Sequence, residues 1–224
     1  MICRMQAVIL AAGRGKRMGS LTEHTPKPLL SHRGQTLLEQ KLSILPSSVA
    51  EIIIVIGYLG QNIIDTIGHS YNNIPIRYVW QTELTGTAGS LWLCKEFLYG
   101  PFIVLMSDDI YHHTDIARIC DTSPREWSVL LSKSDDTANG GKCTVNESGY
   151  LDNIVEDMTG AIPYTYIYTG VCVLTPEVFK LEPAKLPNGE YGLPQTFVKQ
   201  SRERNINILF ATEWLRITDP GDLQ

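Results

Sequence analysis

Apolar residues in the first 110 positions fall into short unbroken runs, with helix-spaced stretches between them. Gln6 to Ala11 is the first run and predicts a buried strand that stops at Gly13. Glu51 to Gly57, "EIIIVIG", is the second, and its continuous β-branched content suits a parallel strand covered on both faces. Ile74 to Trp80 and Pro101 to Met106 predict two more. From Thr36 to Leu45 the leucines keep helical spacing. Thr36-x-x-Glu39 forms a capping box at its start and Pro46 is its stop. Gly60 to Gly68 places Ile63, Ile64 and Ile67 on one side of a short helix, and Thr87 to Leu98 predicts a third. Four strand-helix alternations predict a doubly wound α/β sheet.

The rhythm changes after residue 125. Trp127 to Ser132, Lys142 to Asn146, Tyr150 to Val155 and Thr165 to Thr175 predict consecutive strands. Glu190 to Ser201 predicts a helix, and Asn205 to Ile217 two short strands around Ala211. Consecutive strands imply antiparallel pairing. No linker, repeat or low-complexity tract interrupts the chain. The expectation is therefore one α/β domain, a Rossmann-like three-layer sandwich. Its sheet is mixed and mostly parallel, with an antiparallel subregion, and its halves divide near residue 110.

Composition narrows the function. The chain has 224 residues, 43% of them hydrophobic, which supports a sizeable core. Nineteen Lys and Arg against 24 Asp and Glu give a net charge of −5, which argues against a broad nucleic-acid surface. The five cysteines at 3, 94, 120, 143 and 172 show no CxxC and no even framework, so a reducing, cytoplasmic setting is expected. No apolar run approaches the roughly 18 residues of a membrane helix, and basic residues from Arg14 to Arg17 interrupt any signal-like stretch. Met5-Gln6-Ala7-Val8 reads as a second start. Oligomeric state is open, a homo-oligomer included.

Positive charge is instead local. "AVILAAGRGKRMGSLTEHTPKPLL", residues 7 to 30, runs from the first strand into glycines and then a basic cluster. A glycine loop after a parallel strand can turn backbone N–H groups toward phosphate. The third glycine of a dinucleotide fingerprint is replaced by Met18, and the Walker pattern is absent. Arg17 can grip phosphate bidentately. Pro26-Lys27-Pro28 holds a lysine on a stiffened backbone. A solvated turn is the competing interpretation.

This stretch resembles the signature loop of sugar-phosphate nucleotidylyltransferases, L-A-A-G-x-G-T-R-[ML]-x-P-L-T-x-x-x-P-K-P-[LM], with Lys16 and Ser20 as departures. The resemblance implies transfer of a nucleoside monophosphate from an NTP to a sugar 1-phosphate, releasing pyrophosphate. It places the nucleotide on Leu10, Ala11, Ala12, Gly13 and Gly15, the leaving pyrophosphate on Arg17, and Lys27 between the α-phosphate and the incoming phosphate. "QTELTGTAGS", residues 81 to 90, is similar to the family's base-reading segment, which implicates Gln81, Gly86 and Thr87. Taken by themselves, Gly86 and Thr87 would relax and cap a helix start. "VLMSDDIY" ends a strand in two aspartates, and the resemblance makes Asp108 a catalytic ligand of Mg²⁺. Asp109 is the alternative ligand, and capping of a helix near Thr114 is the alternative role for both.

The late segment "WLRITDPGDL" resembles W-x-x-I-D-T-P-E-D-L, with Thr218 at the ligand position and Asp219 beside it as the second metal candidate. On the sugar side Glu156 matches the glutamate of a family E-K-P segment, but Asp157 stands in place of the lysine. Thr169 and Gly170 would face the sugar. Lys142 or Lys199 is then the expected replacement cation, or the acceptor is unusual. Two further readings remain open. One is a phosphocholine cytidylyltransferase-like enzyme, against which "GTAG" speaks. The other is a non-catalytic nucleotide- or sugar-phosphate-sensing subunit, for which the altered late motif speaks. The base and sugar are not specified. Many family members continue beyond the point where "DPGDLQ" ends this chain.

Overall fold

The computed structural model describes residues 4–122, 125–133, 141–155, 166–200 and 203–224. The first half alternates as expected. Strand β1 (Met5–Ala11) is followed by α1 (Leu37–Ser43), β2 (Val49–Ile56), α2 (Gly60–Ile67), β3 (Ile74–Trp80), α3 (Gly86–Trp92) and β4 (Phe102–Met106). A two-residue strand β5 (Ile110–Tyr111) and α4 (His113–Cys120) close this half. The second half supplies β6 (Trp127–Lys133), β7 (Lys142–Val145), β8 (Leu151–Val155), β9 (Tyr166–Leu174), α5 (Leu193–Phe197), β10 (Ile206–Phe210) and β11 (Trp214–Leu215).

Among the described residues the central sheet has ten strands, one of them the two-residue piece Ser70–Tyr71 at the edge beside β3. Its parallel core runs β3-β2-β1-β4. β9 then pairs antiparallel with β4, β6 and β7, β8 pairs antiparallel with β7, and β10 lies parallel to β6. Every residue of β1 is buried, which matches its apolar run. Alternate residues of the core strands face opposite layers. Val8, Leu10, Ile53, Val55 and Val104 pack with Ala88, Leu91, Leu193 and Phe197 of α3 and α5. Ala7, Ile9, Ile52, Ile54 and Leu105 pack with Leu38, Leu42, Ile63 and Ile116 of α1, α2 and α4. That is a three-layer α/β sandwich, as the periodicity predicts.

Two local expectations differ from what forms. The helix expected over 190–201 begins only at Leu193, because Tyr191 and Gly192 pair with Lys185 and Ala184 as a small ribbon and Pro194 sits in the first helical turn. The helix expected over 87–98 ends at Trp92 and tightens into a 3₁₀ turn at Lys95–Phe97. The capping box of α1 forms as the sequence dictates: Glu39 N donates to Thr36 Oγ1 at 3.1 Å and Thr36 N to Glu39 Oε2 at 2.8 Å. No described helix is long and apolar enough to cross a membrane.

Candidate active site

The chain order creates the site. It builds β1, β2 and β3 in one direction, then returns to place β4 on the far side of β1. Loops leaving the carboxyl ends of β1 and β4 therefore diverge from neighbouring points, where open α/β sheets bind ligands. Ser107 N donates to the Leu10 carbonyl at 3.2 Å and holds the two strand ends together.

The first loop carries the glycines. Gly15 adopts φ +62, and a Cβ there would lie 2.9 Å from Lys27 Cβ. Only glycine allows both that conformation and that approach. The Pro-Lys-Pro segment forms an extended Pro26 followed by a 3₁₀ turn at Lys27–Leu29, which drives the Lys27 side chain inward. Lys27 is 8% exposed. Its Nζ donates to Asp108 Oδ2 at 2.6 Å and to the Ile217 carbonyl at 2.5 Å.

Two cavities open on this loop. The larger, about 630 Å³, is lined by Leu10, Ala12, Gly13 and Gly15, by Gln81, Gly86 and Thr87, and across from them by Thr169 and Gly170. The smaller, about 230 Å³, is lined by Ala11, Arg17, Lys27 and Asp108, with Ser107 and Thr218. Leu10, Gly13, Gly15, Lys16 and Met106 line both, so the cavities meet along the glycine loop. Among the described residues, every expected site residue other than Asp219, Lys142 and Lys199 lines one cavity or the other.

At the end of the larger cavity, Gln81 follows β3 and its N–H donates to the Ile56 carbonyl at 2.8 Å. Gln81 Nε2 donates to Thr85 Oγ1 at 3.1 Å. Ser90 Oγ lies 2.6 Å from Gln81 Oε1 and 3.0 Å from the Gly86 carbonyl, with one proton to donate between them. The amide is thus oriented from behind. Gly86 adopts φ +86, and a Cβ would meet the Tyr191 carbonyl at 2.6 Å. Thr87 does not cap α3, whose N-cap is Thr85; its Oγ1 accepts from Leu193 N at 2.9 Å and ties α3 to α5.

The two aspartates after β4 separate. Asp108 faces the smaller cavity and pairs with Lys27. Asp109 faces the larger cavity, is 8% exposed, and accepts from Trp214 Nε1 at 3.1 Å. Neither caps α4, whose N-cap is His112. Burial pushes the Asp109 carboxyl up to about 7, and the neighbouring Asp108 charge pushes the same way. Beneath them lies Lys41 of α1, which is fully buried, its Nζ 5.2 Å from the centre of the Tyr111 ring. Burial lowers the Lys41 ammonium to about 8, while Asp109 and Asp108 pull it back upward.

Asp219 is exposed and lines neither cavity. Its carboxylate accepts from Gly221 N at 3.3 Å and caps the last turn of the chain, while Thr218 occupies the cavity wall. Asp222 accepts from the N–H groups of Asp219 and Thr218, which hold its carboxyl below the usual range. Among the described residues no cluster of three or more His, Cys, Asp or Glu forms a protein-only metal cage. On the opposite wall β9 bulges between Tyr168 and Cys172. The bulge turns Gly170, at φ +85, against Met106. It also sends the Thr169 hydroxyl inward to the Leu130 carbonyl at 2.8 Å. Lys142 is buried and Lys199 is exposed, and neither lines a cavity. Glu156 and Asp157 lie outside the described residues.

Sequence reasoning passed over Ser90, Tyr168, Tyr191, Trp214 and Arg216, all of which line the larger cavity. Ser90, Trp214 and Arg216 lie within segments that the sequence marks, so proximity to a motif was the available signal. Nothing local marks Tyr191, which enters through the 184–192 ribbon.

Known proteins match the chain throughout. The nucleotidyl transferase family pattern fits residues 6–212. AglF of Haloferax volcanii, a UTP–glucose-1-phosphate uridylyltransferase, is 28% identical over 227 residues, covering 97% of this chain and 93% of its own. The bifunctional protein GlmU of Methanococcus aeolicus is 28% identical over 222 residues, covering 98% of this chain but only 53% of GlmU. A Bacillus anthracis structure named as a glucose-1-phosphate thymidylyltransferase superposes with a TM-score of 0.84 at 20% identity. It covers 98% of this chain and 92% of the other. Because the family pattern runs unbroken from β1 through β10, across the strands that shape both cavities, the chain belongs to the nucleotidyl transferase family.

Proposed function

We propose that this chain transfers a nucleoside monophosphate from an NTP to a sugar 1-phosphate, giving a nucleoside diphosphate sugar and pyrophosphate. The carrying observation is the meeting of the glycine loop with buried Lys27, Arg17 and Asp108 around one cavity that opens into a larger, partly aromatic cleft. The relatives support the acceptor class, since AglF is named for glucose 1-phosphate.

In this reaction an acceptor phosphate oxygen attacks the α-phosphorus. The bond to the bridging oxygen of the β-phosphate breaks, and pyrophosphate leaves with the electron pair. No covalent help from the protein is required, so alignment and charge neutralisation carry the rate. The N–H groups of the Gly13–Gly15 turn fit the triphosphate. Arg17 and Lys16 neutralise the leaving pyrophosphate. Lys27, fixed from behind by the Ile217 carbonyl, is the charge at the transfer point. Gln81, with Ser90 behind it, reads the base edge, and Gly86 and Thr87 shape the pocket around it.

Mg²⁺ fits this donor set. It prefers one or two carboxylates completed by substrate phosphates and water over a closed protein cage. Asp108 would hold it, and Asp219 would join only by leaving its cap. When bound it would neutralise phosphate charge.

The test is pyrophosphate release with each of five NTPs against a panel of sugar 1-phosphates, with phosphocholine included. Turnover with a sugar 1-phosphate is expected. Nucleotide binding without turnover by any pair would establish the sensing subunit instead, and turnover with phosphocholine alone the cytidylyltransferase-like reading.

A further inference from the structure

We propose that Arg216 is the cation that receives the acceptor's phosphate. The assignment rests on the transferase reading and deepens it. An acceptor phosphate entering the larger cavity meets Asp109 on its lining, with Asp108 in the adjoining smaller cavity. Without a positive charge beside them the approach is repulsive. Three cations line the larger cavity among the described residues: Arg14, Lys16 and Arg216. The first two belong to the glycine loop, and Arg14 lies over the Tyr58 ring, its guanidinium carbon 5.6 Å from the centre. Arg216 lines the cavity beside Trp214, from the late segment of the chain.

Strand pairing fixes its place. Trp214 pairs with Tyr111 and Leu215 with Ile110 in antiparallel register. Arg216 and then Ile217 follow directly from that pair along the chain. The Ile217 carbonyl is the group that holds Lys27 Nζ. Arg216 is therefore one residue from the backbone that fixes the transfer lysine. Its guanidinium carbon lies 5.6 Å from the centre of the Trp214 ring, and Trp214 is itself tied to Asp109, so the side chain is directed before any ligand arrives. A guanidinium suits a phosphate monoester because it can donate two parallel hydrogen bonds. Lys142 and Lys199, the replacements expected from sequence, line neither cavity.

The experiment takes the NTP and acceptor pair that wild type turns over best and measures both KM values for Arg216→Ala, Arg216→Gln and Arg216→Lys. Loss of the charge is expected to raise the acceptor KM on the order of 10- to 100-fold, with the NTP KM within about twofold. Arg216→Lys is expected to fall between. Arg216→Gln keeps the stem on Trp214 and preserves the test if the alanine variant does not fold. An unchanged acceptor KM would overturn the assignment while leaving the transferase reading intact, as would equal rises in both KM values with a fallen Tm. Absence of turnover by wild type with every pair would remove the transferase reading, and this assignment with it.

Discussion

Lys27 and Asp108 form an ion pair at 2.6 Å across 81 residues of chain, and the same ammonium donates to the carbonyl of Ile217, 190 residues away. Lys27 is almost buried, while the Asp108 side chain is 27% exposed to the smaller cavity. The lysine is therefore fixed from the protein side, while the carboxylate remains open to a ligand.

Lys27→Ala should lower kcat by a factor of about 10² or more and change nucleotide affinity far less, as for a charge contact strongest in the transition state. Single-turnover kinetics beside equilibrium nucleotide binding separate the two effects. Unchanged kcat would remove Lys27 from the reacting phosphate.

Asp108→Asn should also lower kcat/KM, and the Mg²⁺ concentration for half-maximal activity should rise, because an amide oxygen is a weaker ligand for a hard cation than a carboxylate. Titrating Mg²⁺ against rate checks this. A rate loss with an unaltered Mg²⁺ midpoint would mean that Asp108 serves only Lys27.

Ser90→Ala should loosen base selection more than it slows the preferred reaction. The hydroxyl within 2.6 Å of Gln81 Oε1 is the amide's support from the core side. Without it the amide can flip and present the other edge. The ratio of kcat/KM between the best and second-best NTP is expected to narrow by roughly tenfold. An unaltered ratio would place base recognition elsewhere.

Lys41→Met should stabilise the fold at neutral pH. The ammonium of Lys41 is lowered to about 8 in the folded chain, from an ordinary 10.5. Between those values the unfolded chain binds more protons, so this group's contribution to stability rises with pH there, and below pH 8 its full cost is present. That cost is about 3 kcal/mol. The Tm of Lys41→Met should therefore exceed that of wild type at pH 7, with the gap closing toward pH 10.5. A gap that widened with pH would show Lys41 to be a net stabilising counter-ion of the two aspartates.

Much of the fold is legible in the sequence because its signals are local. The runs 6–11 and 51–57 are too apolar and too short to be anything but covered strands. The Thr36–Glu39 box closes within one helical turn, and the glycines before Pro-Lys-Pro sit within a single loop. Where the sequence misleads, a distant pairing overrides a local preference. Tyr191 and Gly192 fall within the stretch expected as a helix but pair with the 184–185 strand. Asp219 lies in a motif but is taken by the cap of the turn that follows it. Thr169 faces inward because β9 bulges against β6.

By itself, then, the sequence determined the alternating α/β order, the glycine loop and the identity of the groups able to neutralise phosphate, because these depend on residues near one another along the chain. Only the tertiary structure decided which of those groups share a cavity. The return of β4 to the side of β1 brings Asp108 to Lys27, and the pairing of β11 with β5 brings Ile217 and Arg216 to the same point. Those contacts join segments from opposite ends of the chain, and no short-range pattern encodes the register that aligns them.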